Sequence, residues 1–185
     1  MNVTRTEVPG VLIIEPAIFH DARGFVFESY HARQYADAGI AARFVQDNHS
    51  RSGANTLRGL HYQLLQPQGK LVRVIAGAVF DVAVDIRRGS RTFGRWVSVT
   101  LSAENRRQLY IPPGLAHGFY VVDGVAEVEY KCTDFYRRDD QRGIRWDDPT
   151  IGIALPATHP FLSDKDKAYG LLTADRDDLP VYDGD

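Results

Sequence analysis

Period-two alternation is the feature that most restricts this chain. Phe80, Val82, Val84 and Ile86 alternate with Asp81, Ala83 and Asp85, so a strand here turns one set of side chains inward and the other outward. Lys70–Ile75 just before it reads as a second strand. Ala76-Gly77 between the two suits a tight reversal, because glycine tolerates positive φ. Further β-rich runs are Val11–Ile14, Gly24–Tyr30, Arg43–Gln46, Trp96–Leu101, Gln108–Ile111, Gly118–Val122 and Ala126–Lys131. Arg88-Gly89-Ser90, Pro112-Pro113-Gly114 and Asp123-Gly124 punctuate them. Two segments predict short helices: His31–Ala38, stopped by Gly39, and Ser163–Ala168, which opens on an N-cap serine and early acids. Many short strands with few helices predict an antiparallel sandwich or barrel.

Composition narrows the function classes. The 185 residues suit one domain, expected over 1–185, since domains commonly run to ~100–200 residues. Lys+Arg number 22 against 24 Asp+Glu, a net charge of −2, so there is no broad basic face for nucleic acid. The longest run of large apolar residues is Val11–Ile14, against the ~20 needed to cross a bilayer. The opening MNVTRTEVPG has no apolar signal core, and the one cysteine, Cys132, excludes an intrachain disulfide. These features predict a cytoplasmic protein. The acidic stretch 173–185 reads as a surface tail or a lightly docked extension.

Two blocks carry the unusual residues. One is Arg58-Gly59-Leu60-His61-Tyr62-Gln63 with Gln68-Gly69-Lys70 close behind; the other is Ile111 through Phe119, containing His117. A lone histidine is more often a hydrogen-bonded structural residue than a working one. Arg58 and Lys70 beside His61 reverse that weighting, because charges facing a barrel interior need a partner or a ligand. Cupin-type barrels often hold a metal with His-x-His, a later Glu and a distant His. The corresponding positions here are His61, Gln63, Gln68 and His117, so two imidazoles remain without a third protein ligand. No metal site is expected.

Ordered blocks along almost the whole chain resemble the dTDP-4-dehydrorhamnose 3,5-epimerase family. They include Phe19-His20-Asp21-Ala22-Arg23-Gly24 with Phe27-Glu28, Gln46-Asp47-Asn48-His49-Ser50, Leu57–Gln63, Lys70–Val74, Val82–Arg87, Thr92-Phe93-Gly94, Ile111–Phe119, Tyr130-Lys131-Cys132, Gly143–Pro149 and Leu162–Asp166. The resemblance implies a mainly β, cupin-like double-stranded β-helix (jelly-roll) barrel with a few short helices. It implies a cofactor-independent epimerase acting on a dTDP-4-keto-6-deoxyhexose, in keeping with the absence of a Gly-rich dinucleotide loop. Through it His61 becomes the base, Asp166 its orienting partner, Tyr130 the proton donor on the opposite face and Lys70 the stabiliser of the O4 oxyanion. Arg23, Glu28, Gln46, Asn48, Arg58, His117 and Lys165 match substrate-binding positions, and arginine's planar fork suits a diphosphate. Phe19 and Phe27 are expected to flank the thymine. Family members are generally homodimers in which the N-terminal block around Arg23 and Glu28 reaches the partner's site.

One departure stands out: beyond Tyr136 many relatives carry Glu where this chain has Gln141, at a position expected to touch the nucleotide. Cys132 follows Tyr130 along its strand, alternation turns its neighbours the opposite way, and it reads as packing. The leading reading is inversion at both C3 and C5 of dTDP-4-keto-6-deoxy-D-glucose to give dTDP-4-keto-L-rhamnose. The alternatives are inversion at one centre and, from other classes, a metal-dependent or a purely sugar-binding cupin, and Tyr130 or Tyr136 stays open as the donor.

Overall fold

The computed structural model describes residues 1–156, 159–182 and 184. Strands and helices are numbered in chain order. A six-stranded antiparallel sheet runs β1 (Asn2–Arg5), β2 (Leu12–Glu15), β10 (Gln108–Ile111), β7 (Lys70–Ala76), β12 (Val125–Cys132), β5 (Gln46–Gly53). A five-stranded sheet runs β13 (Gln141–Gly143), β6 (Leu57–Gln63), β11 (Leu115–Val121), β8 (Ala78–Asp85), β9 (Trp96–Ser102). From β5 to β8 successive strands alternate between the two sheets, and they do so again from β9 to β13, which is the winding of a jelly roll. A separate hairpin, β3 (Ile18–Asp21) with β4 (Gly24–Phe27), stands outside both. The helices are short: α1 (Ala32–Asp37) and α2 (Asp164–Lys167).

Apolar side chains fill three layers. Val72, Val79, Ala83, Leu101, Leu109, Phe119, Val121 and Val128 pack between the sheets. Each large aliphatic residue buried there contributes roughly 1.5–3 kcal/mol. The outer face of the five-stranded sheet, with Leu60, Val82, Val84 and Ile86, is covered by Ile144, Ile151, Leu172 and Leu179 from the C-terminal segment. The outer face of the six-stranded sheet is covered by Tyr35 of α1 and Ile40. No helix among the described residues is long and apolar enough to cross a membrane.

Several expectations need revision. Ala76-Gly77 does not close a hairpin: β7 pairs with β10 and β12, and β8 with β9 and β11, so the turn carries the chain from one sheet to the other. Gly77 is needed there because a Cβ would lie 2.2 Å from the Val125 carbonyl oxygen. Neither face of β8 is solvated, since its Phe80–Ile86 face lies under the C-terminal segment and Asp81 and Asp85 are fully buried on the other. Arg43–Val45 is not strand; pairing begins at Gln46 and runs to Gly53, a polar stretch held by β12. The stretch after Thr173 is more than a lightly docked tail. Val181 bridges Arg88, Tyr182 N–H donates to Arg88, and Leu179 is buried; Asp183 and Asp185 lie outside the described residues.

Candidate active site

The interior between the sheets is apolar at one end and polar at the other. At the polar end opens a cavity of about 880 Å³, within the range of small-molecule sites. Arg58, His61, Lys70, His117, Tyr130, Tyr136, Gln141, Lys165 and Asp166 all line it. A recess of about 210 Å³ continues from it past Gln46, Asn48, Gln63 and Gln68.

A bulge sets the floor. Strict alternation would put Arg58 and His61, three residues apart, on opposite faces of β6. Instead, three steps on β6 from Arg58 to His61 oppose two on β11 from Phe119 to His117, and the extra residue returns both side chains to the cavity. Glycines make this possible. Gly59 has φ +131°, and a Cβ there would lie 2.5 Å from the Gly118 Cα. His61 and His117 consequently sit side by side on neighbouring strands.

Each histidine has its own acid. His61 Nε2 lies 2.6 Å from Asp166 Oδ1, so Nε2–H donates to the carboxylate and Nδ1 keeps its lone pair. Asp166 is placed by α2, whose N-cap Ser163 accepts from the Asp166 N–H at 3.1 Å. Burial lowers the His61 pKa and outweighs the raising effect of Asp166; Lys70 and His117 lower it further, leaving a neutral imidazole at pH 7. His117 Nε2 lies 3.0 Å and 3.1 Å from the two oxygens of fully buried Asp81.

The opposite wall belongs to the six-stranded sheet. Lys70 comes from β7 and Tyr130 from β12. Burial lowers the Lys70 pKa, with Cys132 and Asp81 opposing the shift. Burial raises the Tyr130 pKa, so it stays a protonated phenol able to donate. Cys132, read from sequence as packing, shares the Tyr130 face two residues on and is the cross-strand partner of Lys70. Its Sγ accepts from Asn48 Nδ2 at 3.5 Å, and burial raises its pKa.

At the mouth, Gln141 Oε1 accepts from Tyr136 O–H and from Lys165 Nζ, each at 2.8 Å. Gln46 accepts from the Tyr136 N–H at 2.8 Å and donates to Asn48 at 3.1 Å. Arg58 Nε donates to Ser52 Oγ at 2.9 Å, leaving the end of its guanidinium toward the cavity. Gln63 and Gln68 hold loops. Gln63 donates to Gln66 and Phe135 carbonyls and accepts from the Arg137 N–H, and Gln68 donates to the Asp134 carbonyl. Among the described residues no three metal-ligating side chains cluster.

Within this one chain, four sequence-expected residues stay away from the cavity. Arg23, 90% exposed, pairs with Asp21; Glu28 accepts from Gln34. Phe19 and Phe27 lie on the β3–β4 hairpin, Phe19 65% exposed and Phe27 beside Phe25. Two neighbours of the histidines were not singled out from sequence. Asp81 is one of the alternating acids of β8, but nothing in the pattern told that its face meets His117. Tyr169 packs edge-on against His61, with ring centroids 5.8 Å apart, and only the tertiary path beyond α2 brings it there.

Comparison with known proteins decides the family. The family model described as dTDP-4-dehydrorhamnose 3,5-epimerase matches residues 5–174. This chain belongs to that family. The dTDP-4-dehydrorhamnose 3,5-epimerase of Shigella flexneri is 57% identical over 169 residues, covering 90% of this chain and 93% of the relative. That of Pseudomonas aeruginosa is 54% identical, covering 97% of this chain and all of the relative. A crystal structure of the Legionella pneumophila dTDP-6-deoxy-D-glucose-3,5-epimerase, in complex with dTDP-4-keto-L-rhamnose, superposes with a TM-score of 0.95 at 52% identity. It covers 99% of each chain. The epimerase family's jelly roll is thus the fold on which this cavity is built.

Proposed function

We propose that this chain inverts C3 and C5 of dTDP-4-keto-6-deoxy-D-glucose, giving dTDP-4-keto-L-rhamnose, with no cofactor in the chemistry. One observation carries the reading: the two facing sheets present a neutral His61–Asp166 pair on one wall and Lys70 with Tyr130 on the other. Inversion beside a ketone needs that opposition. His61 Nδ1 takes the proton from the carbon next to C4, and the C–H electron pair moves into the ring as the carbonyl becomes an enolate. Asp166 stabilises the imidazolium that forms. Lys70 stabilises the negative O4, a contribution of about 3–4 kcal/mol in a water-poor site. Tyr130 then gives its proton to the other face of the same carbon and O4 returns to a carbonyl; His61 passes its proton to solvent, the Tyr130 phenolate regains one from solvent, and the second centre follows.

Substrate binding follows from the mouth. Arg58 and Lys165 supply positive charge for the diphosphate, with Gln46, Asn48, His117, Tyr136 and Gln141 as polar contacts. The proposal includes a homodimer, in which the exposed hairpin bearing Phe19, Arg23 and Phe27, followed by Glu28, completes the partner's nucleotide site. The whole chain acts as one unit, because its C-terminal segment covers the five-stranded sheet. A cytoplasmic setting fits a chain whose single thiol is buried and unpaired.

Solvent deuterium incorporation into dTDP-4-keto-6-deoxyglucose, followed by NMR, tests the reading. Exchange at both C3 and C5, abolished by His61→Ala, is expected. Exchange at one centre would make this a single-centre epimerase, and exchange at neither would overturn the proposal.

A further inference from the structure

Tyr169 has a place against His61 that the acid–base scheme does not use. Its ring meets the imidazole edge-on, at 5.8 Å between centroids and 73° between planes. Its hydroxyl is buried and has no hydrogen-bond partner among the described residues, an arrangement that gains nothing from the oxygen. The contact is the ring. That ring occupies the space above Gly143, the cross-strand partner of His61: a Cβ at Gly143 would lie 2.2 Å from Tyr169 Cε2. The backbone holds it there, since the Arg145 N–H donates to the Gly170 carbonyl at 3.0 Å. Asp166, three residues earlier, binds the same imidazole at Nε2. One segment therefore grips His61 twice, at a nitrogen and along the ring.

We infer that Tyr169 is a positioning residue for this epimerase: seated on Gly143, its ring closes the side of His61 away from the cavity and fixes the imidazole plane so that Nδ1 faces the sugar. The inference rests on the reading of His61 as the base. The charged groups acting on His61 are Asp166 from α2, Lys70 from β7 and His117 from β11, and Arg58, Tyr130 and Tyr136 line the same cavity. Directly across from His61 on β13 lies Gly143, with the Tyr169 ring seated on it. Burial is the largest influence on His61 and keeps it neutral, and the Tyr169 ring is part of what excludes water there.

The test compares Tyr169→Ala and Tyr169→Phe by kcat, KM, the pH profile of kcat, and an NMR titration of the His61 ring without substrate. Tyr169→Ala should lower kcat about tenfold with KM within about twofold, as expected for a base displaced rather than removed. Its acid limb should move to higher pH, because water reaching the imidazole relieves the burial that holds its pKa down. The His61 titration should move the same way. Tyr169→Phe keeps the ring and should restore what Tyr169→Ala loses. Gly143→Ala, which pushes the ring off its seat, should reproduce the Tyr169→Ala titration, and the double variant should be no worse than Tyr169→Ala alone. An unmoved titration with wild-type kcat in Tyr169→Ala or Gly143→Ala overturns the inference, as does a Tyr169→Phe variant as impaired as Tyr169→Ala. The titration needs no turnover. If His61→Ala stays active while the titration moves, the positioning stands and the reading of His61 as base falls.

Discussion

Replacing Asp166 with Asn isolates one contribution to proton abstraction. The His61 Nε2–Asp166 Oδ1 separation is 2.6 Å and the Asp166 side chain is 6% exposed, so the bond is short, charge-assisted when imidazolium forms, and shielded from water. Such a bond is worth about 1.5–3 kcal/mol. At about 1.4 kcal/mol per factor of ten, its loss slows enolate formation by about 10- to 150-fold. The amide is isosteric, and the Ser163 cap that positions residue 166 bonds its backbone N–H, so the imidazole keeps its place. The loss should fall on kcat with KM little changed, because the ion pair matters only after the proton moves.

The pH profile supplies the sign. With His61 as the proposed neutral base, activity should fall as pH drops through its pKa. Burial holds that pKa down and Asp166 opposes it. Removing the carboxylate should therefore move the acid limb to lower pH while the plateau drops, the reverse of the shift expected for Tyr169→Ala. Steady-state kinetics of purified Asp166→Asn with dTDP-4-keto-6-deoxyglucose, from pH 5 to 8, gives both quantities. A plateau within threefold of wild type, or an acid limb that moves upward, would refute the role given to the pair.

Lys70→Met keeps the length of the side chain and removes the cation proposed to face O4; kcat should fall about 100- to 1000-fold with the cavity intact, checked by steady-state turnover. Tyr130→Phe removes the proton donor proposed for the second face. It should keep His61-dependent deuterium exchange with retention and lose inversion, which one NMR time course separates. Asp85→Asn tests stability away from the site. Asp85 is fully buried and accepts from Arg87, Ser90 and Thr92; burial raises its pKa, but these bonds together hold it below the ordinary carboxylate value. Breaking the pair should cost about 3–5 kcal/mol in denaturant unfolding at pH 7. Because the folded pKa is depressed, that stability is present above about pH 4 and is lost as pH falls through the folded value, so the two proteins should converge in acid.

The strands were legible where side-chain chemistry and pairing agreed. Lys70–Ile75 and Ala126–Lys131 have β-branched or aromatic residues at alternate positions, Gln108–Ile111 ends on Tyr110-Ile111, and each is a strand in the six-stranded sheet. Gln46–Gly53 was not, because QDNHSRSG offers no apolar alternation; it is a strand only because β12 supplies its hydrogen-bond partners along its whole length. The Ala76-Gly77 turn misled for the opposite reason. Glycine reports that φ is positive, but not which sheet the next strand joins.

The site divides in the same way. His61, Lys70, Tyr130 and Asp166 were readable only through the family resemblance, since local pattern cannot bring residue 166 to residue 61. The structure supplies that step through α2, and it adds a backbone feature that the pattern did not show. Without the bulge at Gly59, opposite Gly118, Arg58 and His61 would point to different faces, and the cation proposed for the diphosphate and the proposed base would serve different surfaces. With it, the five-stranded sheet contributes the proposed base His61 and the cation Arg58, while the six-stranded sheet contributes Lys70 and the proposed donor Tyr130. Two facing sheets are a natural frame for an inversion, because one carbon held between them meets its base on one side and its acid on the other. A single solvated sheet face, however well supplied with the same residues, would return the proton to the face it left.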